Sequence, residues 1–358
     1  MKLSRALDRD NNNLDIFRLV AACMVIYGHA FALSPGGNTK DIIGSTLGFD
    51  YSGSLAVKIF FFLSGLVVTN SLIEKRDPLR FALARVFRIW PAFLLTITAS
   101  ALIIGPLMTD LSIREYLTHP ETFSYIRNNA VMNIQFTLPG VFDHTPYKHA
   151  VNGSIWSIPV EIGAYIALLG LFMLGLLNYK PLALAIVLLI VLDPLLGNTL
   201  LFTWLKEPEM KLLAPCFAFG AFLALFKNDI EITARTMIGA WLLYYLFRHS
   251  SHNFYFFYVA LFLSVTFLST TALALRLRPQ ADISYGVYLW GFPVQQIMAS
   301  HFSEHGVVTN QLLSLATSLL LGWASWHLVE KHGIKLGNAI SRNLGQFGSQ
   351  NSTRPSVQ

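Results

Sequence analysis

Apolar runs of about twenty residues follow one another along most of this chain, from residue 14 to residue 330. A helix rises 1.5 Å per residue, so about 20 residues cross the ~30 Å hydrocarbon core of a bilayer. The composition agrees with this pattern, since 54% of the residues are apolar and only 13% are charged. We therefore expect an all-α, polytopic membrane helix bundle with membrane lipids around it.

The runs predict about ten transmembrane helices. They lie at residues 14–34, 54–74, 86–107, 154–177, 180–200, 209–226, 232–248, 254–274, 283–302 and 308–330. The fifth run is interrupted by Asp193 and Pro194, and the seventh contains Arg235, so these two are the least regular. The first run is longer than a signal-peptide core and lacks a small-residue cleavage pattern, so we expect it to be retained.

Lysine and arginine are distributed unevenly between the two sets of connecting segments. With the N-terminus inside, sixteen of the 26 fall on the cytoplasmic side and seven on the other, while Arg18, Lys58 and Arg235 lie within runs. Cytoplasmic loops carry the excess of these residues, so both termini are predicted to be cytoplasmic. We place the transmembrane domain at 1–335 and a disordered, Ser- and Gly-rich cytoplasmic tail at 336–358.

Two functional classes are disfavoured by the same pattern. The net charge of +6 does not indicate nucleic-acid binding, because the basic residues lie between apolar runs and not on one polar surface. Cys23 and Cys216 both fall in apolar runs, so neither a disulfide framework nor a cysteine-based metal site is indicated.

Ionisable side chains inside a membrane span cost at least about 2.5 kcal/mol each, so each needs a partner or a function. Arg18 and His29 are eleven residues apart in the first run, which places them on one helix face about 16 Å apart. Glu161 lies in the fourth run, at a depth similar to that of His29 if that helix runs the opposite way. A carboxylate there would orient the imidazole and stabilise its charged form.

An arginine cluster lies just before and at the start of the third run. It contains Arg80, Arg85 and Arg88, with Lys75 and Arg76 close by. Guanidinium groups bind phosphates bidentately, so the cluster predicts a site for a phosphate-rich ligand. The excess of positive charge that any cytoplasmic loop carries is the competing explanation.

Six segments in chain order resemble motifs of the membrane-bound acyltransferase 3 family, which acylates surface and exported polysaccharides. They are LDIFRLVAACMVIYGHAF with Arg18 and His29, FFFLSGLVV with Ser64 and Gly65, RVFRIWPAF with Arg85, Arg88 and Pro91, NGSIWSIPVEIGAY with Trp156, Ser157, Glu161 and Tyr165, ISYGVYLWGFPV with Ser284, Tyr285, Tyr288 and Pro293, and HLVEKH with Glu330. The fifth segment departs from the family pattern, which often has a histidine just before the proline. Gly291 and Phe292 stand there, so no histidine role is assigned.

The resemblance implies an O-acyltransferase of the bacterial cytoplasmic (inner) membrane. It implies acyl-CoA, in the usual case acetyl-CoA, as donor, a glycan or lipid-linked sugar as acceptor on the far side, and no metal. His29 is expected to act as general base or transient acyl carrier with Glu161 as its partner. Arg18, Ser64, Arg85 and Arg88 are expected to bind the donor.

Other side chains of the matched segments are expected to have structural roles. Gly65 would let helices approach closely, and Glu330 would pair with a basic residue. The aromatic residues are expected mainly to pack: Trp156, Tyr165, Tyr285 and Tyr288. The alternative to the enzyme is a proton-coupled small-molecule transporter using His29, Glu161 and Arg18, which would leave the arginine cluster unexplained.

Overall fold

The computed structural model describes residues 1–34, 41–197, 201 and 210–352, with side chains as far as residue 344. The regular elements of this part of the chain are helices, and β-structure is limited to isolated bridges. The main helices, numbered in chain order, are α1 Leu14–Leu33, α2 Ser52–Lys75, α3 Pro78–Ala99, α4 Ser157–Met173, α5 Lys180–Leu192, α6 Leu213–Leu225, α7 Ala234–Phe247, α8 Asn253–Leu268, α9 Ser284–His301, α10 Gly306–Ser325 and α11 Lys331–Ser352.

Each of the ten apolar runs overlaps one of the helices α1 to α10, so the all-α class is confirmed. Helix α3 begins at Pro78, well before the predicted run 86–107, so Arg80 and Arg85 lie within the helix. Residues 198–200 and 209 of the fifth and sixth runs lie outside the described residues. Five helical segments of the described chain are long and apolar enough to cross a membrane, and α6 and α8 are apolar but shorter. The five are Leu14–Leu33, Ser52–Lys75, Pro78–Met108, Gly153–Met173 and Ser303–Leu344. The chain is a membrane protein, while ten spans with cytoplasmic termini stay a prediction.

Helix α2 forms the centre of the bundle, since 72% of its most apolar stretch is buried, against 39% for α1. Its backbone lies directly against that of α6. A Cβ atom on Gly65 would overlap the carbonyl of Phe217, and one on Gly220 would overlap that of Phe62. The prediction that Gly65 permits close helix packing is confirmed, because only glycine leaves room for this contact.

Helix α1 packs between α2 and α9. A Cβ atom on Gly28 would lie 2.7 Å from the backbone nitrogen of Gly53 in α2, and one on Gly291 in α9 would lie 2.8 Å from the side chain of Ile26. Small residues on both neighbours therefore bring the predicted Arg18 and His29 face of α1 into the bundle. The side of the bundle that contains Arg18 is named the Arg18 end, and the opposite side, which contains His29, is named the His29 end.

A π-helical turn, Trp326–Glu330, joins α10 to α11. Insertions of this kind redirect side chains within a continuous helix. Glu330 at the end of this turn is buried, with 1% of its surface exposed. The turn therefore points a carboxylate into the bundle.

The last helix, α11, continues to Ser352. Gly333 and Gly337 in its first part lie against Pro91 and Phe87 of α3, so closely that a Cβ atom on either glycine would be 2.7 to 2.8 Å from them. The division at residue 335, the disorder of the tail after it and its position on the cytoplasmic side stay predictions.

The connection between α3 and α4 contains the short helices Ile113–Thr118 and Pro120–Ala130. Tyr116 donates a hydrogen bond to the carbonyl of Ala101 at 2.7 Å, in a π-helical turn that extends α3. The end of this connection, residues 147–150, lies beside α9 and contributes to the His29 end.

Candidate active site

A cavity opens among α1, α2, α3, α4 and α9. Five of the six predicted site residues line it: Arg18, Ser64, Arg85, Arg88 and Glu161. They come from four helices and from positions up to 143 residues apart, between 18 and 161. His29 is not among the lining residues. The structure thus gathers the predicted donor-binding residues and one predicted catalytic residue, and leaves the histidine outside this space.

Glu161 is held by two hydroxyl groups on the wall of the cavity. The Ser64 hydroxyl donates to its Oε1 at 2.8 Å, and the Tyr165 hydroxyl donates to the same oxygen. Ser64 and Tyr165 lie 3.0 Å from each other. The carboxylate predicted to orient His29 is therefore hydrogen bonded to α2 and to its own helix. Its second oxygen, Oε2, takes no part in these bonds.

Arg85 faces this group from α3. Its guanidinium carbon lies 5.7 Å from the centre of the Tyr165 ring, within the range of a cation–π contact. No carboxylate of the described residues forms an ion pair with Arg85. It is half-buried, so its positive charge is directed into the cavity without a neutralising partner. An anionic ligand would be attracted to this position.

Arg88 has a different environment, since it bridges two carboxylates. Nη1 donates to Glu330 at 2.6 Å and Nη2 donates to Asp282 at 2.6 Å. The guanidinium also lies over the rings of Tyr285 and Trp326, at 5.5 and 5.7 Å. The prediction that Glu330 pairs with a basic residue is confirmed. Arg88 thereby ties α3 to the start of α9 and to the end of α10.

Asp282 completes this ion-pair group from the segment just before α9. Burial raises the pKa of Asp282, but the guanidiniums of Arg88 and Arg18 outweigh that effect and Ser284 adds hydrogen bonds. The pKa of this carboxyl consequently lies below its usual value. Sequence reasoning missed Asp282, although an acidic residue directly before a matched segment was a usable signal.

A second cavity shares Arg85 with the first and is also lined by Lys75 and Arg80. Neither of these two cations has an ion-pair partner among the described side chains. Asp77 accepts a hydrogen bond from the backbone nitrogen of Arg80 at 2.9 Å, and Glu74 forms an ion pair with Lys227 at 2.5 Å. Three cations thus line the second cavity, and one of them, Arg85, also lines the first. Such a region suits several phosphate groups.

His29 lies near the other end of α1, where its ring meets that of Phe292 edge-on at 5.5 Å. The imidazole is half-buried, and its Nδ1 atom is buried without a hydrogen-bond partner in the described part of the chain. Both Arg18 and His29 therefore contact protein, as the shared helix face predicts. Phe292 occupies the place where the related motifs often carry histidine, and it packs directly on the imidazole.

A short chain of contacts separates His29 from the cavity. Tyr288 lines the cavity, shares a hydrogen bond with Ser157 at 2.7 Å and donates to the carbonyl of Ser154 at 2.6 Å. Gly153, next to Ser154, lies against Phe292: a Cβ atom there would be 2.5 Å from the ring. One layer of hydrogen-bonded and aromatic groups thus lies between His29 and the cavity.

Three tyrosines expected mainly to pack line the cavity instead, namely Tyr165, Tyr285 and Tyr288, whereas Trp156 does not. Their hydroxyl groups within apolar helices were the available signal, because a buried tyrosine hydroxyl requires a partner. Among the described residues, no group of three or more His, Cys, Asp or Glu side chains is placed to hold a metal ion.

The fold and this cavity define a helical membrane protein with a charged, hydroxyl-lined site between its helices. The family model for the acyltransferase domain of the acyltransferase 3 family matches residues 11–327, and the chain belongs to that family. It is similar to an O-acetyl transferase of Shigella phage Sf6, with 30% identity over 90% of this chain and 95% of the relative. It is also similar to nodulation protein 10 of Rhizobium leguminosarum bv. viciae, with 30% identity over 44% of this chain and 43% of the relative. No solved structure matches the chain significantly. The chain is therefore an acyltransferase.

Proposed function

We propose that this enzyme transfers an acyl group, most simply acetyl, from cytoplasmic acyl-CoA to a hydroxyl of a surface or exported polysaccharide or of a lipid-linked sugar. The observation that carries the proposal is the convergence of five residues from the family-type motifs on one cavity. The relative from the phage is an O-acetyl transferase, and the match covers nearly its whole length. This similarity supports acetyl as the group transferred.

The two cavities support acyl-CoA as the donor. Coenzyme A carries phosphates at one end and the thioester at the other, so it requires cations at one end of an elongated site. Lys75, Arg80 and Arg85 supply cations around the second cavity, and the first cavity, which shares Arg85, is also lined by Ser64 and Tyr288. Arg18 and Arg85 would bind the donor directly. Arg88 would contribute mainly by fixing the cavity wall, because Asp282 and Glu330 occupy two of its nitrogens.

His29 would be the catalytic base. The acceptor hydroxyl would give its proton to the imidazole while its oxygen attacks the thioester carbon, the C–S bond breaks, and the CoA thiolate leaves and takes up a proton. In the second version, His29 itself would accept the acyl group and pass it to the hydroxyl. The Nδ1 atom of His29, for which the described residues supply no hydrogen-bond partner, would serve in either step.

Glu161 would act from within the donor cavity. Its bonds to Ser64 and Tyr165 fix the two hydroxyls beside the path of the acyl chain. Those hydroxyls would orient the thioester, and the carboxylate would relay charge or protons toward His29. This role follows the observed contacts more closely than direct orientation of the imidazole does.

The proposal includes ten transmembrane helices, cytoplasmic termini and a position in the bacterial inner membrane. The excess of lysine and arginine on one set of connecting segments supports this topology. With it, the Arg18 end would face the cytoplasm and acyl-CoA, and the His29 end would face the acceptor.

Mass analysis of cell-surface glycans with and without the gene tests the function. We expect the gene to add the mass of one acetyl group per modified unit, and His29→Ala to abolish that addition while acetyl-CoA still binds. A transporter would instead lose solute flux without any change in glycan acylation, and membership of an acyltransferase family disfavours that alternative. Unchanged glycan mass on deletion would refute the proposal.

A further inference from the structure

The His29 end contains several buried polar atoms for which the described residues supply no hydrogen-bond partner. They are the Nδ1 atom of His29, the hydroxyls of Ser34 and Ser154, and Oε1 of Gln296. Leaving such an atom buried and unpaired costs about 1–3 kcal/mol, and native proteins satisfy most of them with protein groups, water or ligands. Four in one region indicate that a group other than the described residues completes this site.

These atoms surround one small apolar cluster made of Leu33, Ala150 and Phe292. Ser34 follows Leu33 in the chain, and Ser154 follows Gly153, against which the Phe292 ring packs. His29 meets the same ring from the side of α1. A short apolar patch surrounded by unpaired polar atoms matches a sugar, which combines apolar C–H groups with several hydroxyls.

Gln296 is the best-defined of these groups. It lies one helical turn after Phe292 on α9 and is completely buried. Its Nε2 donates to the carbonyls of Tyr147 and Ala150, both at 2.7 Å. Rotating the amide by 180° would place its oxygen against two carbonyl oxygens, so the orientation of the amide is fixed. Oε1 is thereby held as an acceptor for which the described residues supply no donor.

We propose that Gln296 binds the acceptor substrate by accepting a hydrogen bond from one of its hydroxyls through Oε1, beside the hydroxyl that His29 activates. The inference rests on the proposed function and adds to it a residue that recognises the polyhydroxylated acceptor. Tyr147 and Ala150 act as positioning groups, because their carbonyls hold the amide. The connection between α3 and α4 thus contributes to acceptor recognition through its backbone.

Gln295 offers a matched control on the same helix. It is equally buried, its Nε2 donates to the carbonyl of Ile26 at 2.7 Å, and its Oε1 is also unpaired. It bonds to Asn310 of α10 instead of the segment beside Phe292. Replacing either glutamine by methionine removes the same amide from the same depth, but only Gln296 lies next to the apolar cluster.

The test uses the full chain in nanodiscs with acetyl-CoA as donor, and as acceptor an extract of envelope glycans together with a panel of methyl glycosides and disaccharides. Gln296→Met, Gln296→Asn and Gln295→Met are compared by KM for acceptor, KM for acetyl-CoA, kcat and apparent Tm. Gln296→Asn retains the amide but withdraws it by one methylene, which guards against a variant that fails to fold. We expect both Gln296 variants to raise the acceptor KM about tenfold, equivalent to about 1.4 kcal/mol, with the acetyl-CoA KM unchanged.

Each outcome decides the matter. If the Gln296 variants raise the acceptor KM no more than Gln295→Met does, Oε1 binds only water and the inference is wrong while the proposed function stands. If the unsubstituted protein binds acetyl-CoA but acylates neither the extract nor the panel, the proposed function fails and the inference fails with it.

Discussion

The bridge formed by Arg88 allows a sharp test of which arginines bind donor and which hold the fold. We expect Arg88→Met to destabilise the protein strongly, because it leaves two carboxylates without their cation. Glu330 has a fully buried side chain, whereas Asp282 retains 20% exposure. Removing one partner of a buried ion pair costs about 3–5 kcal/mol. Glu330 accounts for most of that cost, since water compensates Asp282 in part.

Arg85→Met is the matched control. Arg85 is also a half-buried arginine of α3, but it has no carboxylate partner among the described residues. We expect it to leave the apparent Tm nearly unchanged and to weaken acetyl-CoA binding at least tenfold. Arg88→Met should lower the apparent Tm by several degrees, since about 1 kcal/mol shifts Tm by some 2–4 °C in a chain of 150–250 residues, and less in a longer one.

The assays are thermal unfolding of the detergent-solubilised protein and acetyl-CoA binding measured below the unfolding range. A double-mutant cycle with Glu330→Gln separates the pair from its surroundings. The combined Arg88→Met, Glu330→Gln variant should be more stable than Arg88→Met alone, because the buried charge is gone. If Arg88→Met unfolds at the same temperature as Arg85→Met, the structural role assigned to this bridge is refuted.

Three further perturbations test other parts of the structure. Gly65→Leu should abolish folding or cost at least ~1–3 kcal/mol of stability. Gly163→Leu is the control and should fold normally, because open space surrounds that position. Equal folded yields of the two variants in membranes would contradict the close backbone contact at Gly65. Tyr165→Phe removes a hydrogen bond to Glu161. We expect it to lower kcat/KM for acetyl-CoA about tenfold, as for a hydrogen bond worth ~1.5 kcal/mol. Unchanged kinetics would contradict a role for this bond. Because the pKa of Asp282 is depressed in the folded state, its stabilising contribution is present above its unfolded pKa and is lost as the pH falls through the folded pKa. Apparent Tm should therefore fall on acidification, and Asp282→Asn should flatten that fall.

The sequence alone was sufficient for the helical class and for five of the residues that line the cavity. A bilayer requires backbone hydrogen bonds to be satisfied within the segment, so long apolar runs have few alternatives to helix. Charged residues in such runs are costly, and for that reason the sequence pattern by itself singles out Arg18, His29 and Glu161. Their spacing on α1 also predicted that Arg18 and His29 share a face.

Tertiary packing decided which of these residues meet. Glu161 meets Ser64 of α2 through tertiary packing, whereas its other partner, Tyr165, lies one turn further along the same helix. Helix periodicity gives the depth and face of a side chain but not the neighbour of that face. The expected pairing of Glu161 with His29 used depth alone, and depth does not select a partner.

The same limit explains Arg88 and α11. From the sequence, Arg85 and Arg88 are equivalent members of one cluster, yet only Arg88 meets Asp282 and Glu330. Those contacts join positions nearly 200 and more residues apart, which local patterns do not encode. Helix α11 likewise meets Pro91 and Phe87 of α3 through Gly333 and Gly337, which lie far from them in the sequence. Local chemistry therefore determined which residues are costly to bury, and the packing of the helices decided what each of them contacts.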